Sequence, residues 1–192
     1  MIVGIGKHHK RYLDFLREYF KNNPNVVIYP EFFDDKNSLL SGNYRIYIRR
    51  ILLNRNRIRI AVWPDYLHRL PKALEGLRNI TWIYPLHKMN EISFVLTLAD
   101  HFNIFLGFPN RPDLRDYGLE RFILIAKEYS FKTWLLGLKP RFLRYICLFN
   151  GCDVTPMSIQ GLGFEDFKKP SFLKKYVDFI VKAVSYTHLT LP

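Results

Sequence analysis

Asp153 is the residue whose setting most needs a chemical explanation. It sits between Cys152 and Val154 in the short apolar run 152–155 (CDVT), and an aspartate buried in such a run is costly unless something partners it. Two explanations are open: the carboxylate caps the next loop or pairs with an arginine, or it faces a pocket and acts there. Asp65, in AVWPDY, poses the same choice, either capping the segment before Pro71 or facing the pocket. Two carboxylates on one pocket could divide a nucleophilic role and a recognition role. His87 follows the run 80–84 (ITWIY) and is either a hydrogen-bonded wall or a ligand contact. Arg111 and Arg115, in PNRPDLRDY, either pair with Asp113 and Asp116 or grip an anion. His8, His9, His68 and His101 show no ligand-like spacing. Cys147 and Cys152 are too few for a disulfide scaffold or a four-ligand zinc site. Neither a metal nor a cofactor is expected.

These residues need elements to hold them. Short apolar runs at 58–63 (IRIAVW), 80–84, 103–108 (NIFLGF), 133–138 (TWLLGL) and 152–155 are rich in β-branched and aromatic residues. Their nearly continuous hydrophobicity suits parallel strands covered on both faces. Between them, 90–102 and 119–129 space apolar residues at three and four, as amphipathic helices do, and Pro140 suits the first turn of another. Strand starts recur roughly every 18 to 30 residues, the pitch of βα units. In the N-terminal third, 2–6 and 26–29 read as strands flanking a helix at 10–21. The stretch 37–43 (NSLLSGN) reads as a third strand and turn, 44–54 as a basic helix, and 164–183 as the last helix. Eight such units predict an α/β fold, a (β/α)8 TIM-like barrel forming one domain over 1–183. An open doubly wound sheet is the alternative, although no Gly-rich dinucleotide fingerprint follows any strand. The last nine residues, 184–192 (VSYTHLTLP), resemble the translation of a transposase adapter used in sequencing libraries and are set outside the fold.

In a barrel, function gathers where the strands end. The ends read Pro64-Asp65, Pro85-Leu86-His87, Gly107-Phe108-Pro109, Gly137-Leu138-Lys139 and Asp153, a polar ring with repeated proline and glycine where a backbone could approach a ligand. Trp63, Trp82 and Trp134 belong mainly to the core, with one or two free to stack on a flat base beside Tyr66 or Phe108.

The 192 residues carry 29 Lys and Arg against 17 Asp and Glu, a formal net charge of +12. That balance suggests an anionic partner, nucleic acid being the commonest, or simply a charge that keeps the chain soluble. Arg45, Arg49, Arg50, Arg55, Arg57 and Arg59 fall within fifteen positions. They form either a phosphate-contacting stripe or a solvated helix face. Sixteen Phe, twelve Tyr and three Trp exclude intrinsic disorder, and no apolar run is long enough to span a membrane. The start, MIVGIGKHHK, reaches charge too soon for a signal peptide, so a cytoplasmic setting is expected.

The segment 133–160, TWLLGLKPRFLRYICLFNGCDVTPMSIQ, resembles the end of the barrel in tRNA-guanine transglycosylases. There a glycine-bearing strand precedes a Pro-containing helix, and the next strand carries the nucleophilic aspartate, the position of Asp153. IAVWPDY is similar to the family strand whose terminal aspartate recognises the base, which points to Asp65. FLGFP, at 105–109, lies where the family has a glycine loop against the base, which points to Gly107. AVWPDY, IYPLH and LGFPNRPDLRDY look closest to the DNA 7-deazaguanine transglycosylase branch of phages and bacteria.

This resemblance implies exchange of guanine for a 7-deazaguanine base through a covalent aspartyl-glycosyl intermediate, on DNA in preference to tRNA, in a host cytoplasm. With the strand-end ring it nominates Asp153 as catalytic and Asp65, His87, Gly107, Pro109 and Gly137 as substrate contacts. Arg45, Arg49, Arg50, Arg111, Arg115 and Lys139 are the nucleic-acid contacts. The chain departs from the family in three places. His87 stands nearest to where a glutamine reads the base. Leu40-Ser41-Gly42 replaces an aspartate-bearing turn near the third strand, leaving a proton-transfer role unassigned. The Cys/His zinc module is absent. Two other readings remain: a nonenzymatic nucleic-acid-binding member of the fold, and a (β/α)8 enzyme acting on a small anionic metabolite.

Overall fold

A computed structural model describes residues 1–35, 44–64, 66–156 and 169–190. The apolar runs form eight strands: β1 (Ile2–Ile5), β2 (Val26–Ile28), β3 (Phe32–Phe33), β4 (Ile60–Val62), β5 (Thr81–Pro85), β6 (Ile104–Pro109), β7 (Lys132–Leu136) and β8 (Gly151–Val154). They join in one sheet in the order β2-β1-β8-β7-β6-β5-β4-β3, and each paired neighbour is parallel. The two ends of that order, β2 and β3, are only three residues apart in the chain. A parallel neighbour needs a crossover of about a dozen residues, so β2 and β3 are successive parts of one path. The first part pairs with β1 and the second with β4. Glu31 joins them: its N–H donates to the Ile28 carbonyl at 2.9 Å, and its own carbonyl accepts from the Arg59 and Ile60 N–H groups at 2.9 and 3.0 Å. The peptide bond before Pro30 in this link is cis. The fold is a nearly closed α/β barrel of the TIM type, as the strand pattern predicts.

The helices are α1 (Lys10–Phe20), α2 (Tyr44–Asn54), α3 (Ile92–Ala99), α4 (Leu119–Glu128) and α5 (Pro170–Thr190). The span after Lys139 is a nine-residue 3-10 helix, Pro140–Leu148. α1 forms because Tyr12, Leu13, Leu16 and Phe20 recur at three and four and bury one stripe. Among the described residues no helix is long and apolar enough to cross a membrane. The expected third strand at 37–43 lies outside the described residues.

Side chains alternate across each strand, which separates two cores. Val3, Ile5, Trp63, Trp82, Tyr84, Leu106 and Cys152 face the helices. Val27, Phe32, Ile60, Val62, Ile83, Phe105 and Trp134 fill the barrel, with Ile2 and Leu136 against them. Trp63 and Trp82 are thus outer core, whereas Trp134 lies inside the barrel, stacked on Phe32 with centroids 5.5 Å apart and planes 11° apart. Room for these rings comes from glycine: a Cβ on Gly4 would lie 2.7 Å from the Phe32 ring, and one on Gly151 would overlap Trp134.

Candidate active site at the barrel mouth

On β8, Cys152 and Val154 pack outward, so Gly151 and Asp153 point inward. Asp153 is 2% exposed. Its Oδ1 accepts from Trp134 Nε1 at 3.1 Å and from the Gly137 N–H at 3.0 Å. Among the described residues its Oδ2 has no hydrogen-bond partner. The Gly137 contact depends on a backbone φ of +69°, where a side chain would be strained. In that conformation the loop after β7 turns an N–H onto the carboxylate, and the Gly137 carbonyl accepts from Asn110 Nδ2.

β1 lies beside β8, with Gly4 in register with Asp153. Above Ile2 its inward positions are Gly4 and Gly6, so no β1 side chain screens Asp153 from the stave on the other side. That stave ends in Asp34 and Asp35, directly after β3. A Cβ on Gly6 would sit 3.6 Å from Asp34 Oδ2. A cavity of about 360 Å³ opens here, lined by Gly6, Lys7, His8, His9, Asp34, Asp35 and Thr155. These residues follow β1, β3 and β8, which places the cavity at the C-terminal mouth, where the fold concentrates chemistry.

Asp35 is 1% exposed. Lys7 Nζ lies 3.2 Å from its Oδ2, and Arg50 donates to the same oxygen. Its Oδ1 is buried without a partner among the described residues. Burial pushes this carboxyl up, but the bonds from Arg50 and Lys7 more than offset it and hold its pKa below the ordinary value. Burial, and then the neighbouring His9, depress the pKa of His8 below its usual 6.5, and its ring packs on Tyr12 with centroids 4.1 Å apart.

His87 lies beyond β5 and is 3% exposed. Its Nδ1 is 2.9 Å from the Leu114 carbonyl, its N–H donates to Glu91 Oε2 at 2.9 Å, and its ring stacks on Tyr66 with 4.4 Å between centroids. Tyr66 is itself 55% exposed. Asp65, beside it, lies outside the described residues. Gly107 packs between strands: a Cβ there would be 2.9 Å from the Tyr84 carbonyl and 3.0 Å from Ile83 and Leu136. Its carbonyl accepts the Leu86 N–H at 3.0 Å. The buried Pro109 offers its carbonyl to Arg115 Nε at 3.2 Å.

Arg115 also lies over the Phe108 ring at 4.4 Å. Arg111 pairs with Asp113. Lys139 is exposed just before the 3-10 helix, and Arg45 and Arg49 are exposed on α2. The arginine run is therefore divided: Arg50 reaches the mouth carboxylate, whereas Arg55 and Arg57 lie beyond the far end of α2. Among the described residues no three His, Cys, Asp or Glu side chains are grouped as metal ligands would be.

Lys7, Asp34 and Asp35 were missed by sequence reasoning. The signal was present in EFFDDK, an aromatic pair followed by two acids, and in the alternating glycines of GIGK.

No protein-family model matches the chain, and no solved structure matches it. It is 36% identical over 176 residues to the uncharacterized protein ORF192 of Acidianus two-tailed virus, an alignment covering 90% of this chain and 88% of that protein. The chain belongs to the ORF192 family. That alignment is long enough to take in most of the barrel, so this member of the ORF192 family shares its fold-forming segments with a viral protein.

Proposed function

We propose that the chain is a base-exchanging transglycosylase of nucleic acid, with DNA the favoured substrate and Asp153 the nucleophile. The observation that carries this reading is that Asp153 and Asp34 stand on staves flanking Gly4 and Gly6, the inward positions above Ile2 on the stave of β1. Asp153 Oδ2 attacks C1′ of a guanosine nucleotide. The bond from C1′ to the guanine nitrogen breaks, and the base leaves with a proton supplied at its ring. A glycosyl ester on Asp153 remains. A 7-deazaguanine nitrogen then attacks C1′, loses its proton and displaces the carboxylate, so configuration is retained.

Trp134 Nε1 and the Gly137 N–H hold Oδ1 throughout, which fixes the carboxylate's angle and stabilises it as the leaving group of the second step. Asp34 supplies the carboxylate at the third strand that Leu40-Ser41-Gly42 left unfilled, and it is the group beside the leaving base suited to carry the proton. A base extruded from its stack costs a few kcal/mol, offset in part by contact with the aromatic wall to which Tyr66, 55% exposed, belongs.

Labelled-guanine exchange on duplex DNA and on tRNA tests this. Asp153→Asn and Asp153→Ala should lose about 10³-fold or more of the exchange rate while nucleic-acid binding remains measurable. Wild-type-like exchange by either variant removes the nucleophile assignment. A second reading, an enzyme acting on a small anionic metabolite, is favoured by the cavity's own size and by Lys7, His8 and His9 in its wall. Turnover or saturable binding of a sugar phosphate, with no exchange on either nucleic acid, selects it.

A further inference from the structure

The β2–β3 link has no helix. A groove of about 430 Å³ lies beside it, with Arg17 and Lys21 on one bank and Glu31 and Arg59 on the other. Beside it, a hollow of about 440 Å³ is lined by Arg49, Leu53, Arg55 and Arg57, with Asn54 and Asn56 between them. The groove lies by the end of α1 and the start of β2, and the hollow by the end of α2 and the approach to β4, both toward the rim opposite the mouth.

Charge distinguishes the two. In the groove each cation has an acid: Arg17 with Asp14, Lys21 with Glu18 and Arg59 with Glu31. Among the described residues no acid lines the hollow. Among the described residues Arg49 and Arg57 make no hydrogen bond or ion pair, and Arg55 gives one N–H to the uncharged Leu52 carbonyl at 3.2 Å. Leu53, 75% exposed, stands among them. Three exposed guanidiniums that have no counter-charge among the described residues repel one another, so the arrangement favours an arriving anion. Repeated anions suit it best, because a duplex presents a charge about every 1.7 Å along its axis. The Asn56 amide adds a neutral donor for phosphate oxygens, whereas Asn54 Nδ2 already donates to the Arg50 carbonyl at 2.8 Å, and Leu53 offers apolar contact to a sugar face.

We propose that Arg49, Arg55 and Arg57 form a nucleic-acid backbone site on the rim opposite the catalytic mouth. It rests on the reading of nucleic acid as partner and adds a second grip, one that anchors phosphates without touching the reacting nucleotide.

The test is the salt dependence of binding by the full chain, measured by fluorescence anisotropy on a short duplex DNA and on an RNA hairpin, which separates the two sources of phosphodiester. Arg49→Ala/Arg55→Ala/Arg57→Ala should lower the slope of log K against log salt by about 2.7, or about 40-fold in affinity over a fourfold range of salt. A charge-matched control, Arg121→Ala/Lys127→Ala/Lys132→Ala, should keep the wild-type slope. The proposal is overturned by an unchanged slope in the first variant or by an equal loss in both. Wild-type binding to anionic vesicles or acidic peptides but not to nucleic acid also overturns it. Asp153→Asn should keep the slope, so lost exchange with intact salt dependence bears on the catalytic reading alone.

Discussion

Gly151→Ala is the substitution that most directly couples the fold to the site. The added Cβ would be 3.1 Å from Trp134 Cδ2 and closer still to Cε3 and Cζ3, whereas carbon atoms pack at about 3.5–4.0 Å. The indole must therefore retreat by about 1 Å. It has nowhere to go: Phe32 is stacked on it at 5.5 Å, Phe105 stands edge-on at 5.4 Å, and the ring is fully buried. Overpacking of this kind costs about 1–3 kcal/mol. The same shift pulls Nε1 from Asp153 Oδ1, and a hydrogen bond to a charged group contributes about 1.5–3 kcal/mol. The expected loss is about 3–5 kcal/mol in urea unfolding, seen as a lower midpoint at constant slope. Gly76→Ala is the control: nothing lies within 4 Å of its Cβ, and its φ is not positive, so it should change stability by no more than about 0.5–1 kcal/mol. A Gly151→Ala protein within about 0.5 kcal/mol of wild type would refute the claim that the indole is wedged and that its position sets Asp153.

Asp35→Asn should destabilise by about 1–3 kcal/mol at neutral pH, because Lys7 and Arg50 lose their common partner. The Asp35 pKa is depressed on folding, so the unfolded chain binds the extra proton. Its contribution is full above the ordinary value of 3.8 and fades as pH falls through the lower folded value. The gap between wild type and variant in denaturant unfolding should therefore close in acid, and a gap constant from pH 7 to pH 2 would refute the ion-pair account. Thiol titration should find one reactive cysteine in the native protein and two in denaturant. Cys147 is exposed, whereas Cys152 is buried and its thiol is pushed up by burial first and then by Asp153. Two fast native thiols would place β8 on the surface.

Most of the barrel could be read from the sequence because its strands are long enough to show their type. The runs at 80–84, 103–108 and 133–138 became β5, β6 and β7, and the spacing at 44–54 and 119–129 became α2 and α4. β3 could not be read that way. Two residues, Phe32–Phe33, carry no period, and they follow β2 so closely that a sequence reader looks further on for the next strand. Losing β3 meant losing Asp34 and Asp35, since a strand-end residue is recognised only once the strand is. Trp134 was grouped with Trp63 and Trp82 by residue type, yet strand alternation puts it inside the barrel and them outside. The arginine run shows a similar limit: closeness in sequence put Arg50 beside Arg49, while the turn of α2 sends the first to the mouth carboxylate and leaves the second without a partner among the described residues.

The depth of the site follows from how the barrel is filled. Phe32 stands against Gly4 and Trp134 against Gly151, while Gly107 yields its space to Ile83 and Leu136. These side chains take the room that the glycines leave, so carbon fills the lower barrel up to the level of Trp134 and Phe32. Polar groups begin only above that floor, with Asp153 on one stave and Asp34 on another. A floor of packed rings fixes one donor that orients Asp153, the Trp134 indole, while the loop after β7 supplies the other, the Gly137 N–H. Shortening the 111–116 loop should therefore change access to the mouth while leaving the Trp134 and Gly137 bonds in place, because neither donor belongs to that loop.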